Sequence, residues 1–350
     1  MANCKRVMHL FYLPGINPET GKRLTKICKK DVEEIKVSHK DEISGKYYTV
    51  TIADYIEIPC GSCQVCKANQ AKKKAERSML EANTWKNNEV INLTYNDENL
   101  PYNEKYDEKT DKVIKIPTLK YKDVQDFKKR LLKQWKSKYK ESGIRFICAA
   151  EYGDKYKRPH YHLIMFNFEA HDKKFFGYTK KGSKEWGSEE IAKIWGKGNI
   201  TIGEATPNTI MYVSNYCLKK FKGKAAKGIY RDLGVEPECV RSSNRKGLGA
   251  IYCEEHLEQY KKYGEFYVGS EKGPIRVGAN QYFDKLLSDK YGDELLEKIK
   301  AKRMKLAQDR ERTRALISGI DIETQRENDE RQFLERIKHA KQREFKEAGY

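Results

Sequence analysis

The sequence predicts an α+β fold: a central antiparallel sheet flanked by helices, with a cysteine-containing segment before it and a long helical tail after it. Three observations lead there. The apolar runs IRFICAA (144–150) and HLIMFNF (162–168) have strand length and are separated by the polar loop GDKYKRP, the pattern of two adjacent antiparallel strands. Between residues 123 and 139, Val124, Phe127, Leu131, Trp135 and Tyr139 return every three or four positions, which places them on one helix face. From Asp284 onward Gly and Pro nearly vanish and the composition is helix-forming.

The elements follow in chain order. Residues 1–57 mix turn signals (LPGINPETGK) with KYYTVTIADYIEI, an alternating stretch expected to be a strand or hairpin arm. Residues 67–86 carry Ala, Met and Leu at helical spacing against a lysine-rich face, which predicts a helix. EVINLTYND (89–97) combines β-branched and aromatic residues ahead of an Asn-Asp turn and predicts a strand. The polar stretch from Asn96 to Pro117 is expected to be a loop, and a Gly/Lys-rich loop is expected before the short strand ITIGEA (200–205). Thr206 then offers an N-cap and Pro207 a first helical residue, so a helix should run from about Pro207 to Phe221. Residues 222–283 are rich in Gly, Lys and Tyr, with strand-like runs such as GEFYVG and PIRVGA. The expected divisions are 1–86 (cysteine cluster and basic helix), 87–230 (the sheet-bearing core), 231–283 (a basic accessory segment) and 284–350 (the charged helical tail).

Composition narrows the function. The 350 residues include 70 Lys+Arg against 51 Asp+Glu, a net charge of +19, with 35% charged and 38% hydrophobic residues. Mean hydropathy is -0.87. No apolar run approaches the roughly 20 residues of a spanning helix, and the N-terminus lacks the apolar core and cleavage site of a signal peptide. A soluble, intracellular protein that does not engage a membrane is expected. The positive charge points to a polyanionic partner, nucleic acid first; a basic protein without such a ligand is the plainer alternative. The tail from Asp284 holds 17 basic and 15 acidic residues, so nearly all of the excess lies in residues 1–283.

Chemistry concentrates in two places. His160 and His162 flank Tyr161 in a strand, so the two imidazoles share a face and can bind one metal ion. Glu151, at the end of the preceding strand run, can complete a set of two histidines and one carboxylate with positions left open for substrate oxygens. Alone, a His-x-His pair is a weak signal. The second place is a helix: Tyr212 and Tyr216 stand at i and i+4 on one face, with Lys219 and Lys220 following. The plainer reading is an aromatic pair packed in the core. The chemical reading is a nucleophile, because a tyrosine hydroxyl can attack a phosphodiester and keep its energy in a phosphotyrosine bond. With a phenol pKa of about 10 it needs a nearby cation.

The three segments VINLTYND, EYGDKYKRPHYHLIMF and MYVSNYCLKK, in that order, resemble the motifs of the rolling-circle replication initiators called HUH endonucleases. More narrowly, with PCGSCQVCK and LTYNDENLP, the chain is similar to the initiators of gokushovirus-type microviruses, small single-stranded DNA phages. The resemblance covers about residues 60–221. It implies an antiparallel sheet of about five strands, an HUH endonuclease core with the tyrosine helix across the site. It implies that His160 and His162 are the paired metal ligands, that Glu151 is the third, that Tyr212 and Tyr216 are the nucleophiles and that Lys219 balances phosphate or phenolate charge. Tyr161 departs from the apolar middle position, since it has a hydroxyl. The implied activity is nicking of a circular phage DNA origin, single-stranded or supercoiled, with Mg²⁺ or Mn²⁺ as cofactor, a 5′-phosphotyrosine link, and later rejoining. Lys220, Lys222, Lys224 and Lys227, with no acid before Asp232, and Arg158 are expected to grip the DNA backbone. A bacterial host cytoplasm is the implied location, and a host helicase an implied partner.

Of nine cysteines, Cys60, Cys63 and Cys66 form C-x2-C-x2-C, one ligand short of a tetrahedral Zn²⁺ site. Cys4, Cys28 or a histidine such as His9 can supply the fourth. Three reduced thiols around a Gly-Ser turn, or an iron–sulfur cluster, are the alternatives. In the tail, Leu286, Leu287, Leu295, Leu296 and Ile299 form a partial apolar stripe able to dock. Two rival functions stay open: a relaxase or transposase of the same chemistry, and a non-catalytic protein that binds single-stranded nucleic acid.

Overall fold

The two apolar runs do pair. The computed structural model describes residues 4, 6–19, 21, 23–40, 44–107, 111–153, 157–179, 182–215, 226–269 and 273–347, with the backbone alone at 107, 227, 334 and 336–347. In it Arg145–Tyr152 and Pro159–Phe166 lie antiparallel, Leu163 opposite Cys148. The chain divides into two units, Met1–Asn69 with Arg326–Ile337, and Gln70–Gln325 with Lys338–Tyr350.

In the first unit, β1 (Met8–Ile16) is paired on one side with β2 (Arg23–Lys29). A separate hairpin joins β3 (Ile35–Lys40) to β4 (Tyr47–Ile52). β5 (Tyr55–Ile58) closes the other side of β1. The alternating stretch KYYTVTIADYIEI thus becomes two strands in two sheets, because Ala53-Asp54 interrupts it and each half finds a different partner. The helix α1 (Gln64–Thr84) follows the cysteine cluster and continues into the second unit.

The second unit contains β6 (Asn88–Thr94), β7 (Tyr102–Asp107), β8 (Lys112–Pro117), α2 (Tyr121–Lys138), β9 (Arg145–Tyr152) and β10 (Pro159–Phe166). Next come β11 (Lys174–Tyr178), β12 (Lys184–Gly187), α3 (Glu189–Trp195), β13 (Ile200–Glu204), α4 (Pro207–Asn215), α5 (Ala226–Leu233) and β14 (Cys239–Ser242). The chain continues through α6 (Ala250–Glu255), α7 (Leu257–Tyr263), β15 (Phe266–Val268), β16 (Ile275–Val277), α8 (Gln281–Tyr291), α9 (Asp293–Ser318) and α10 (Ile322–Glu347). Among the described residues none of the helices is long and apolar enough to cross a membrane.

The main sheet is antiparallel, in the order β11-β12-β13-β6-β10-β9-β14. Seven strands replace the five or so expected. The difference lies partly in the presumed Gly/Lys-rich loop before residue 200, which holds β11, β12 and α3. Its strand signal, Phe175, Phe176, Tyr178 and Trp186, is diluted by Lys and Gly. Ser188 caps α3 by accepting the Ile191 N–H at 3.0 Å, and Gly196 ends it in the left-handed region at φ 62°. The presumed loop from Asn96 to Pro117 also contains a hairpin, β7 with β8. Most of its side chains face solvent, so no apolar run betrays it.

Each face of the main sheet meets helices. On one, Leu93, Tyr161 and Leu163 pack with Phe127, Leu131 and Trp135 of α2 and Trp195 of α3. Trp135 is fully buried, and cutting such a side chain to Ala costs about 3–5 kcal/mol. On the other face, Val90, Ile147, Ile164 and Phe166 pack with Ala75 and Met79 of α1 and with Ile210 and Val213 of α4. A further core gathers Leu80, Tyr260, Phe266 and Phe283 with Leu287, Leu296 and Ile299, and Leu286 and Leu295 pack against it. The apolar stripe at the start of the tail therefore docks on its own chain.

Candidate metal and tyrosine site

β10 is paired on both sides, so the neighbours of each of its residues are set by register. His160 stands opposite Glu151 of β9 and Thr94 of β6, and His162 opposite Ala149 and Asn92. Directly opposed residues share a sheet face, as do residues two apart in a strand. Glu151, Asn92 and both histidines therefore lie on the face that carries α4. Glu151 Oε1 is 2.8 Å from His160 Nε2 and 3.1 Å from His162 Nε2. The two rings are nearly perpendicular, with centroids 5.1 Å apart. The carboxylate is buried and the imidazoles are partly exposed, so the cluster opens to solvent on the histidine side.

The other ring nitrogens decide what the cluster can hold. His160 Nδ1 is 3.1 Å from the Arg158 carbonyl, which can only accept, so Nδ1 carries the proton. His162 Nδ1 is 2.6 Å from Asn92 Oδ1, and the Asn92 amide is turned that way because its NH2 donates to Thr201 Oγ1 at 2.9 Å. Both Nε2 lone pairs then converge on a carboxylate oxygen, an arrangement that repels itself unless a proton or cation lies between. The three donor atoms fall within 4.8 Å of one another. Two imidazole nitrogens and one carboxylate oxygen suit a divalent ion that keeps open positions. Asn92 was not singled out from sequence. Its signal was a lone amide in an apolar strand, two residues from Thr94 and hence on the same face.

Tyr212 reaches this cluster from α4. Thr206 Oγ1 accepts the Thr209 N–H at 3.2 Å and caps the helix as expected, while Ile210 and Val213 anchor it to the sheet. Tyr212, between them, is 54% exposed, and its ring stands edge-on to His162 with centroids 5.9 Å apart. Core packing does not describe Tyr212. Tyr216, Lys219, Lys220, Lys222 and Lys224 lie outside the described residues, and Lys227 belongs to α5 with its backbone alone described. Arg158 is engaged within the chain: Nη1 is 2.6 Å from Asp97 Oδ1, and Nη2 donates to the Tyr95 carbonyl at 3.0 Å.

Tyr161 points to the opposite face and is fully buried. Its hydroxyl accepts the Lys120 N–H at 2.9 Å and lies 3.1 Å from the Tyr95 hydroxyl, which donates to Asp123. Burial pushes the Tyr161 phenol well above its ordinary range. The hydroxyl that departs from the motif thus serves the core.

Residues 88–221, which span the whole cluster and α4, match the family model for the replication-associated protein ORF2. The chain is 32% identical over 252 residues to the replication-associated protein ORF2 of Spiroplasma virus 4, covering 71% of this chain and 74% of that one. It is 32% identical over 269 residues to the replication-associated protein VP4 of Bdellovibrio phage phiMH2K, covering 76% and 79%. The chain belongs to this replication-associated protein family. Identity to the replication-associated protein ORF4 of Chlamydia phage 1 is 27% over 241 residues, 66% of this chain and 53% of that one. No solved structure matches the chain significantly. The likeness to microvirus initiators drawn from three short motifs is borne out at family level.

Proposed function

We propose that this member of the family initiates replication of a circular phage DNA by nicking its origin with a tyrosine. The observation that carries the reading is the Tyr212 ring beside His162, where His160 and His162 converge on Glu151. A Mg²⁺ or Mn²⁺ ion held by His160, His162 and Glu151 would polarise the scissile phosphate and stabilise charge on the departing oxygen. The Tyr212 hydroxyl gives up its proton and its oxygen forms a bond to phosphorus. The P–O3′ bond breaks, and the 3′ oxygen takes up a proton to become a primer end. The 5′ phosphate stays on tyrosine, so one phosphodiester has been exchanged for another and no nucleotide cofactor is needed for rejoining.

In this reading Tyr216, one helical turn on, makes the second cut while the first tyrosine holds the 5′ end, and Lys219 balances charge on phosphate or phenolate. Lys220, Lys222, Lys224 and Lys227 hold the strand's backbone. Arg158, fixed to Asp97 and Tyr95, shapes the turn after β6 beside the histidines.

The test is a denaturing gel of full-length protein with Mn²⁺ and an oligonucleotide carrying the phage origin. A slower covalent protein–DNA band and an extendable 3′ end are expected. The Tyr212→Phe/Tyr216→Phe double variant should form none. A normal adduct from the double variant would overturn the assignment, and DNA binding without cleavage would leave a non-catalytic binder.

A further inference from the structure

Outside the tyrosine site, one cluster of side chains has the shape of a closed metal centre. Cys4, Cys60, Cys63 and Cys66 bring four sulfurs within 4.8 Å of one another. Cys4 Sγ is 3.8 Å from Cys63 Sγ, and Cys60 Sγ is 4.0 Å from Cys66 Sγ. These are not disulfide lengths, which are about 2.05 Å. Four thiolates on one Zn²⁺, with Zn–S of about 2.3 Å, define a tetrahedron whose edges are about 3.8 Å. Cys4 supplies the fourth corner. Cys28 sits on β2 opposite His9, and His9 is turned to the Val32 carbonyl at 2.8 Å and stacked on Tyr55.

The surrounding backbone favours charged sulfur. The Cys60 N–H donates to Cys4 Sγ, the Cys63 N–H to Cys60 Sγ and the Cys66 N–H to Cys63 Sγ, each at 3.4 Å. Three N–H groups aimed at sulfur spread the excess negative charge that four thiolates around a divalent ion would carry. Gly61 makes the tight turn between Cys60 and Cys63 possible with φ at 70°, a left-handed conformation. Cys63 directly precedes the 21-residue helix α1 and Cys66 lies in its first turn, where unpaired N–H groups favour anionic sulfur.

We propose that Cys4, Cys60, Cys63 and Cys66 bind one structural Zn²⁺. Four protein ligands leave no position for substrate, so the ion does no chemistry. It ties the chain start, ahead of β1, to the turn between β5 and α1. The proposal does not depend on the nicking reading, since it uses none of the same residues.

Metal analysis of the purified full-length chain should find one zinc per chain, and the His160→Ala/His162→Ala variant should keep it. Replacement by Co²⁺ should give the thiolate-to-cobalt charge-transfer and visible bands of a tetrahedral tetrathiolate, a signature that histidine and carboxylate ligands cannot produce. Cys60→Ser/Cys66→Ser should lose the zinc, whereas Cys28→Ser should not. Protein isolated from zinc-replete cells without zinc, or with iron in its place, would overturn the proposal. So would a cobalt-loaded wild-type chain without the thiolate bands, a result that does not rely on any variant folding.

Discussion

The Tyr212 ring stands edge-on to the His162 imidazole, centroids 5.9 Å apart, although the two residues come from different elements and are fifty positions apart in sequence. The contact exists because Ile210 and Val213 press α4 onto the sheet face that also carries His162. It allows packing and chemistry to be separated. Tyr212→Phe keeps the ring and removes only the hydroxyl, so stability should stay within about 0.5 kcal/mol, as for a surface substitution. Complete nick-and-rejoin turnover should fall by at least about a thousandfold. Comparing urea midpoints with turnover on an origin substrate checks both halves.

Asn92 acts on the metal through His162. Its amide is locked by Thr201 and accepts from His162 Nδ1, which keeps Nε2 free to bind the ion. Outer partners of this kind are worth about 10–100-fold in metal affinity. Asn92→Ala should therefore raise the Mn²⁺ concentration for half-maximal adduct formation by about that factor, with circular dichroism unchanged. An unchanged Mn²⁺ titration would remove Asn92 from this role.

Two imidazoles and one carboxylate form a mixed nitrogen and oxygen donor set. Mg²⁺ prefers oxygen and retains its water, whereas Mn²⁺ accepts imidazole more readily. Half-maximal adduct formation should need less Mn²⁺ than Mg²⁺, and EDTA should abolish it. Equal titrations for the two ions would argue against two histidine ligands.

The ion pair between Glu81 and Arg145 holds α1 to the main sheet. Arg145 Nε is 2.5 Å from Glu81 Oε1, and the Glu81 side chain is fully buried. Glu81 also accepts from Trp85 Nε1 at 2.9 Å and from the Gly249 N–H at 2.7 Å. Glu81→Ala leaves a guanidinium without its counter-charge and should cost about 3–5 kcal/mol, read as a lower urea midpoint.

Gly198 shows how closely the loop before β13 approaches the end of β6. Its φ is 146°, and a Cβ there would lie 2.4 Å from the Asn96 nitrogen and 2.4 Å from the Thr94 carbonyl oxygen. Gly198→Ala should cost about 1–3 kcal/mol from the backbone conformation alone, and more from the clash. It should also loosen the turn after β6, which Lys197 and Asn199 hold by accepting the Asn96 and Thr94 N–H groups. Thermal unfolding measures the first effect, and faster amide exchange at Asn96 the second.

What was legible in the sequence was what local pattern controls. The period of three to four in α2, the apolar runs of β9 and β10 and the Thr206 cap each express a constraint within about one turn or one strand. The hairpins at 102–117 and 174–187 were not legible, because strands half open to water carry no apolar run. Asn92 was overlooked for a related reason: a polar side chain in a strand looks like a solvent position until its partners across the sheet are known.

The sequence by itself determined the reagents: two histidines two apart, a carboxylate at a strand end, tyrosines one helical turn apart, three cysteines at fixed spacing, and the excess of positive charge in residues 1–283. Only the tertiary structure decided which of them meet. Strand register puts Glu151 opposite His160 and Asn92 opposite His162, helix packing lowers Tyr212 onto the same face, and chain return brings Cys4, rather than Cys28 or His9, to the other cysteines. Spacing along a chain sets direction only within one element, whereas contacts between elements depend on how their apolar faces are buried together.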